Sequence, residues 1–204
     1  MSREHFISNI FKRLIITGAF SGALAVFLNV IITATKLPQA SQGYQEAMDI
    51  INSLPPAILI VMVVFVAPLL EELMFRGLMY WLPLFIVERV RGIRRPRTCV
   101  AVAVVSSVIF GVYHMNLVQF VYATLMGLAM CLVYEANLGL FWTVVFHMIA
   151  NLTSLAMGFV PGIDTPAGSI IAGIVSFAVV IIAGRATLRN AKAMFRYYHD
   201  IPEE

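Results

Sequence analysis

Residues 58–76 read ILIVMVVFVAPLLEELMFR, and this stretch decides the fold. Up to Leu70 it is an unbroken apolar run, the kind of sequence that enters a bilayer. Two carboxylates and a guanidinium then follow at Glu71, Glu72 and Arg76, inside sequence that stays largely apolar as far as Val87. A charge near the bilayer centre costs ~2.5 kcal/mol or more, so such groups face a polar interior and mark a site. His114, Glu135 and His147 keep similar apolar company, beside runs such as Cys99–Tyr113 and Leu138–Phe146.

The whole chain has the same character. Its 204 residues are 60% hydrophobic and 12% charged, with a mean hydropathy of +0.88. A soluble domain carries about 25% charged residues, so this chain belongs in a membrane. Six apolar stretches of spanning length occur, at about 14–35, 56–80, 98–115, 117–136, 138–160 and 168–186. The expected fold is an all-α, polytopic transmembrane helix bundle of about six spans, forming one integral-membrane domain over 1–204. The run Leu14–Thr35 exceeds the apolar region of a signal peptide and reads as a retained span. The second span continues through Trp81-Leu82-Pro83, either as one long tilted helix or as a helix broken at Pro83. The polar segment Lys36–Pro55 reads as a loop with a short surface helix near Gln45–Asn52.

Basic residues give the orientation. Arg3, Lys12 and Arg13 precede the first span, Arg89, Arg91, Arg94, Arg95 and Arg97 follow the second, and Arg185, Arg189, Lys192 and Arg196 follow the sixth. With six spans these fall on one side, leaving Lys36 opposite and Arg76 within the membrane. The positive-inside rule makes that side, and both termini, cytoplasmic. The net charge of +3 therefore reports topology and not a nucleic-acid partner. Cys99 and Cys131 lie in apolar segments with no CxxC spacing and read as small core residues. Gly18/Gly22 and Gly158/Gly162, at spacing four, suit close helix packing.

Three motifs carry chemistry: Glu71-Glu72-x-x-x-Arg76, Phe110-x-x-x-His114 and His147-x-x-x-Asn151. Residues four apart share a helix face, whereas neighbours diverge by about 100°. Glu72 and Arg76 can thus pair and offset each other's burial, leaving Glu71 to point elsewhere. Phe110 can wall the pocket that His114 enters, and His147 and Asn151 present an imidazole and an amide together. A base, two imidazoles and an amide donor are the parts that peptide hydrolysis requires: water activation, proton delivery and donors to an oxyanion. Each motif alone reads equally well as packing; the ordered trio favours a site. Glu135 reads as a helix-end residue that snorkels, and Asn29 and Gln119 as interhelical hydrogen-bond donors.

In these motifs the chain resembles the CPBP family, the CAAX proteases and bacteriocin-processing enzymes also called Abi, whose eukaryotic members are the type II CAAX prenyl endopeptidases. The resemblance covers about 57–160. It implies an intramembrane endopeptidase in which Glu71 activates water, His114 assists, and His147 and Asn151 stabilise the oxyanion, with Glu72, Arg76 and Phe110 in support. It implies a membrane-associated peptide or protein substrate and a multi-pass protein of a bacterial plasma membrane. No cofactor is expected; the alternative is zinc held by Glu71, His114 and His147, although HExxH is absent. A non-catalytic bacteriocin-immunity or signalling protein with the same fold is the competing function. A proton-coupled transporter fits poorly, since inverted repeats are lacking. At 1.5 Å per residue His114 lies about 24 Å and His147 about 14 Å from the cytoplasmic side, which leaves the side of access open.

Overall fold

The computed structural model describes residues 3–93, 95–137 and 139–199. Arg94 of the basic loop and Leu138, the expected first residue of the fifth span, lie outside them, as does the side chain of Arg3. The helices are α1 (Arg3–Ala34), α2 (Leu37–Ala40), α3 (Gln42–Asn52), α4 (Pro56–Arg91), α5 (Pro96–Tyr113), α6 (Leu117–Asn137), α7 (Leu140–Met157) and α8 (Pro166–His199). No strand occurs among the described residues. Six helices, α1 and α4 to α8, are long and apolar enough to cross a membrane, as the composition requires.

Prolines start several of these helices. Pro56, Pro96 and Pro166 stand at first positions, where a missing N–H costs nothing and the fixed φ suits the helix. Gly92, at φ 70, ends α4 in the left-handed conformation that glycine adopts freely.

The bundle is organised around α6, which packs against α1, α4, α5, α7 and α8. Phe20, Phe75, Phe110, Met126, Met130, Val133 and Phe146 fill the centre. The outward faces carry exposed Ile, Val, Leu and Phe, which is the surface lipid requires. Helices α5 and α6 touch at Gly111, where a methyl group would meet Thr124 Oγ1 and come within 2.7 Å of the Phe120 carbonyl oxygen.

The second span is longer than the sequence reading placed it. It runs unbroken through Pro83, 36 residues in all, or roughly 54 Å against a hydrocarbon core of about 30 Å. Two π-helical segments, Val61–Val66 and Leu73–Trp81, explain its continuity. At their ends the N–H groups of Ala67 and Leu82 bond the carbonyls of Met62 and Gly77, five residues back. Each widened turn is followed at once by a proline, Pro68 or Pro83. The extra residue makes room for a ring that would clash in an α-helix.

Other expectations fare differently. The Lys36–Pro55 segment contains two helices, α2 and α3, rather than one. Gly18 and Gly22 do face α7, with Ile149 and Thr153 at 3.5 Å from a notional Cβ. Gly158 and Gly162 instead lie at and beyond the end of α7, where Gly162 turns the chain at φ 75. Asn29 reaches across to Ser154 Oγ at 3.0 Å, as expected of an interhelical donor. Gln119 does not act in that way: its Oε1 accepts from Asn116, just before its own helix. Glu135 stands in the last turn of α6 but is only half-exposed, and it accepts a 2.7 Å hydrogen bond from the buried Tyr80 hydroxyl on α4. Cys99 and Cys131 are buried, as small core residues should be.

Candidate active site

Glu71 and Glu72 occupy the short α-helical stretch Ala67–Glu72 between the two π segments of α4. Their side chains diverge as adjacent helical positions must. Glu72 is fully buried, and its Oε1 accepts from Arg76 Nη1 at 2.9 Å. The same oxygen accepts from His147 Nδ1 at 3.0 Å, a contact that the spacing of four does not reveal. Glu71 keeps a 15% exposed side chain and turns toward a cavity, with Oε2 3.7 Å from His147 Nε2. The imidazole of His147 therefore stands between two carboxylates, its Nδ1 on Glu72 and its Nε2 toward Glu71.

Arg76 is fully buried beneath the site. Its guanidinium lies over the Phe110 ring, 4.6 Å from the centroid, a cation–π placement that offsets part of its desolvation. The edges of Phe110 meet both imidazoles, with ring centroids 5.0 Å from His114 and 5.8 Å from His147. One aromatic ring thus sets the positions of the cation and both histidines.

His114 sits just past the end of α5, in the reversal that leads to α6. Its Nδ1 donates to the Phe110 carbonyl at 2.9 Å, so Nε2 is the ring nitrogen left for other partners. The reversal is held by Asn116. Its Oδ1 caps the Gln119 N–H at 2.9 Å, and its Nδ2 donates to the His114 carbonyl at 3.0 Å. Between them Met115 adopts φ 59, a strained conformation for a residue with a Cβ.

Asn151 donates from Nδ2 to the Val63 carbonyl at 2.8 Å. The reason lies in the backbone of α4. Ala67 N–H bonds Met62, so the next donor in that register, for Val63, belongs to residue 68. Residue 68 is proline and has no N–H. Asn151 satisfies the orphaned carbonyl, and its second N–H stays free for another acceptor.

Glu71, His114, His147, Asn151 and Phe110 line one cavity of about 370 Å³. The sequence reading thus located the four candidate side chains that the fold brings together. It did not find two further groups of lining residues. Tyr44, Met48 and Ile51, one face of α3, border the cavity at the bundle end. Asn29, Ser154 and Tyr122 form a hydrogen-bonded set along its wall, with Tyr122 Oη 3.1 Å from Ser154 Oγ. Ser154 was within reach of the sequence, since 147, 151 and 154 fall on one helical face. Nothing in the spacing of α3 links it to the site. Among the described residues no three His, Cys, Asp or Glu side chains assemble as a metal-binding group.

An acid, two imidazoles and an amide line one cavity in a multi-pass membrane protein of six apolar spans. Residues 53–153, about half of the chain, match the family model for type II CAAX prenyl endopeptidase Rce1-like proteins. All three motifs lie within that stretch, and over it the chain belongs to the Rce1-like family. Neither the curated proteins nor the solved structures gave a match.

Proposed function

We propose that the chain is an intramembrane endopeptidase that hydrolyses a peptide bond of a membrane-associated peptide or protein. The carrying observation is the convergence of Glu71, His114, His147 and Asn151 on one cavity while Glu72 and Arg76 are tied together behind it. The Rce1-like match supports the same class of activity.

In this reading Glu71 accepts a proton from water as the hydroxyl oxygen attacks the carbonyl carbon. Negative charge develops on the substrate oxygen, toward which Asn151 directs its second N–H. His147 contributes there as well. With Nδ1 held by Glu72, a proton on Nε2 makes the ring a donor into the cavity. The C–N bond then breaks, and the proton taken from water passes to the leaving nitrogen. His114, whose Nε2 is unoccupied by its own helix, assists that transfer. Phe110 and Arg76 keep the rings in place, and the protein acts from the cell membrane.

The test is cleavage of an internally quenched peptide library by the detergent-purified protein. Wild type should cleave and Glu71→Gln should not, with both equally monodisperse. Equal cleavage by both would remove Glu71 as the base. If neither cleaves, yet both support the same cellular phenotype, the protein is the non-catalytic immunity or signalling partner.

A further inference from the structure

The cavity is open at one end of the bundle and closed at the other. Its lining comes from chain reversals on one face: Thr33 at the end of α1, Pro38 in α2, Met48 in α3, His114 at the end of α5, Gln119 at the start of α6 and Leu155 at the end of α7. Alternating spans place all of these at the same membrane surface. In the other direction the path is filled. Glu72, Arg76, Tyr80 and Leu84 follow each other at spacing four down α4 and are 0, 0, 1 and 0% exposed. Tyr80 and Leu84 pack with Cys99 and Cys131, and Tyr80 is bonded to Glu135, so the stripe is anchored to α5 and α6.

Charge distinguishes the two surfaces. Lys12, Arg13, Arg89, Arg91, Arg95, Arg97, Arg185, Arg189, Lys192 and Arg196 belong to the closed end. Among the described residues the open end has Lys36 as its basic side chain, beside the acidic Glu46, Asp49 and Asp164. The positive-inside rule assigns the basic end to the cytoplasm.

We infer that the site is entered from the non-cytoplasmic face of the membrane, through the mouth that α2 and α3 border, and that its substrate is a peptide segment displayed on that face. The substrate class rests on the endopeptidase reading; the side of entry does not. A prenylated C-terminus presented in the cytoplasm is on the wrong side for this cavity.

Cysteine labelling in intact cells separates the two claims. The full chain would carry Gln45→Cys or Met48→Cys at the mouth, or Arg95→Cys at the basic end. A membrane-impermeant maleimide is added before or after permeabilisation, and the purified protein is weighed. Wild type, whose own thiols are buried, supplies the background. The expected result is labelling of Gln45→Cys and Met48→Cys in intact cells, and of Arg95→Cys only after permeabilisation. The reverse pattern would overturn the inference, as would labelling of Gln45→Cys without Met48→Cys after permeabilisation as well as before. Cleavage by the detergent-solubilised wild type is measured in parallel. Outside labelling without any cleavage means that the peptidase reading has failed while the side of entry stands.

Discussion

His147 Nδ1 lies 3.0 Å from Glu72 Oε1, the oxygen that Arg76 also engages at 2.9 Å. Glu72 is therefore more than the partner of a buried arginine, because it also fixes the ring that faces Glu71. Glu72→Gln should keep the shape but leave Arg76 without a countercharge. Breaking one side of a buried pair costs about 3–5 kcal/mol, so thermal unfolding in detergent should shift clearly downward. Glu71→Gln should leave unfolding near that of wild type and abolish cleavage. Equal destabilisation by both changes would contradict the division of roles.

Asn151 should show two separable effects. Asn151→Leu removes the bond to Val63, a loss of about 0.6–1.5 kcal/mol, together with the cavity amide. Pro68→Ala restores a backbone N–H five residues beyond Val63. In a double-mutant cycle the stability cost of Asn151→Leu should shrink in the Pro68→Ala background, while its loss of cleavage persists. An unchanged stability cost would mean that the orphaned carbonyl is not what Asn151 satisfies.

Gly111 tests the seam that carries His114. Gly111→Ala should lower folded yield, because its methyl would press on Thr124 and the Phe120 carbonyl. Gly77→Ala is the matched control within α4. No heavy atom lies within 4 Å of its notional Cβ, and alanine gains roughly 1 kcal/mol in a helix. Size-exclusion profiles of the two should differ sharply.

Metal dependence has a direct readout. Each imidazole has its Nδ1 engaged, by Glu72 or by the Phe110 carbonyl. Treatment of the purified protein with a strong chelator should leave cleavage unchanged. Loss of cleavage that stoichiometric zinc alone restores would make Glu71, His114 and His147 a ligand set.

Much of the site was legible because helical spacing is itself geometry. Glu72 and Arg76 at i, i+4, and Glu71 one residue away, permit little other than a pair and a divergent acid. The ends of α4 were not legible. Hydropathy reports where apolar sequence lies, and a proline normally reads as a break, whereas a π turn accommodates one without any compositional mark. Glu135 was read as snorkelling because its depth suggested it; the Tyr80 hydroxyl, 55 positions away, was invisible to a local reading. The place of α3 at the cavity was invisible for the same reason, since only the folded chain brings Met48 and His114 to one lining.

The packed stripe from Glu72 to Leu84 also bears on turnover. A cavity stoppered at one end cannot pass a polypeptide across the bilayer, so nothing is threaded through this protein. If the chain is the endopeptidase proposed above, substrate arrives and both fragments depart by one doorway. The fragment that dissociates more slowly would then compete with the next substrate for that doorway.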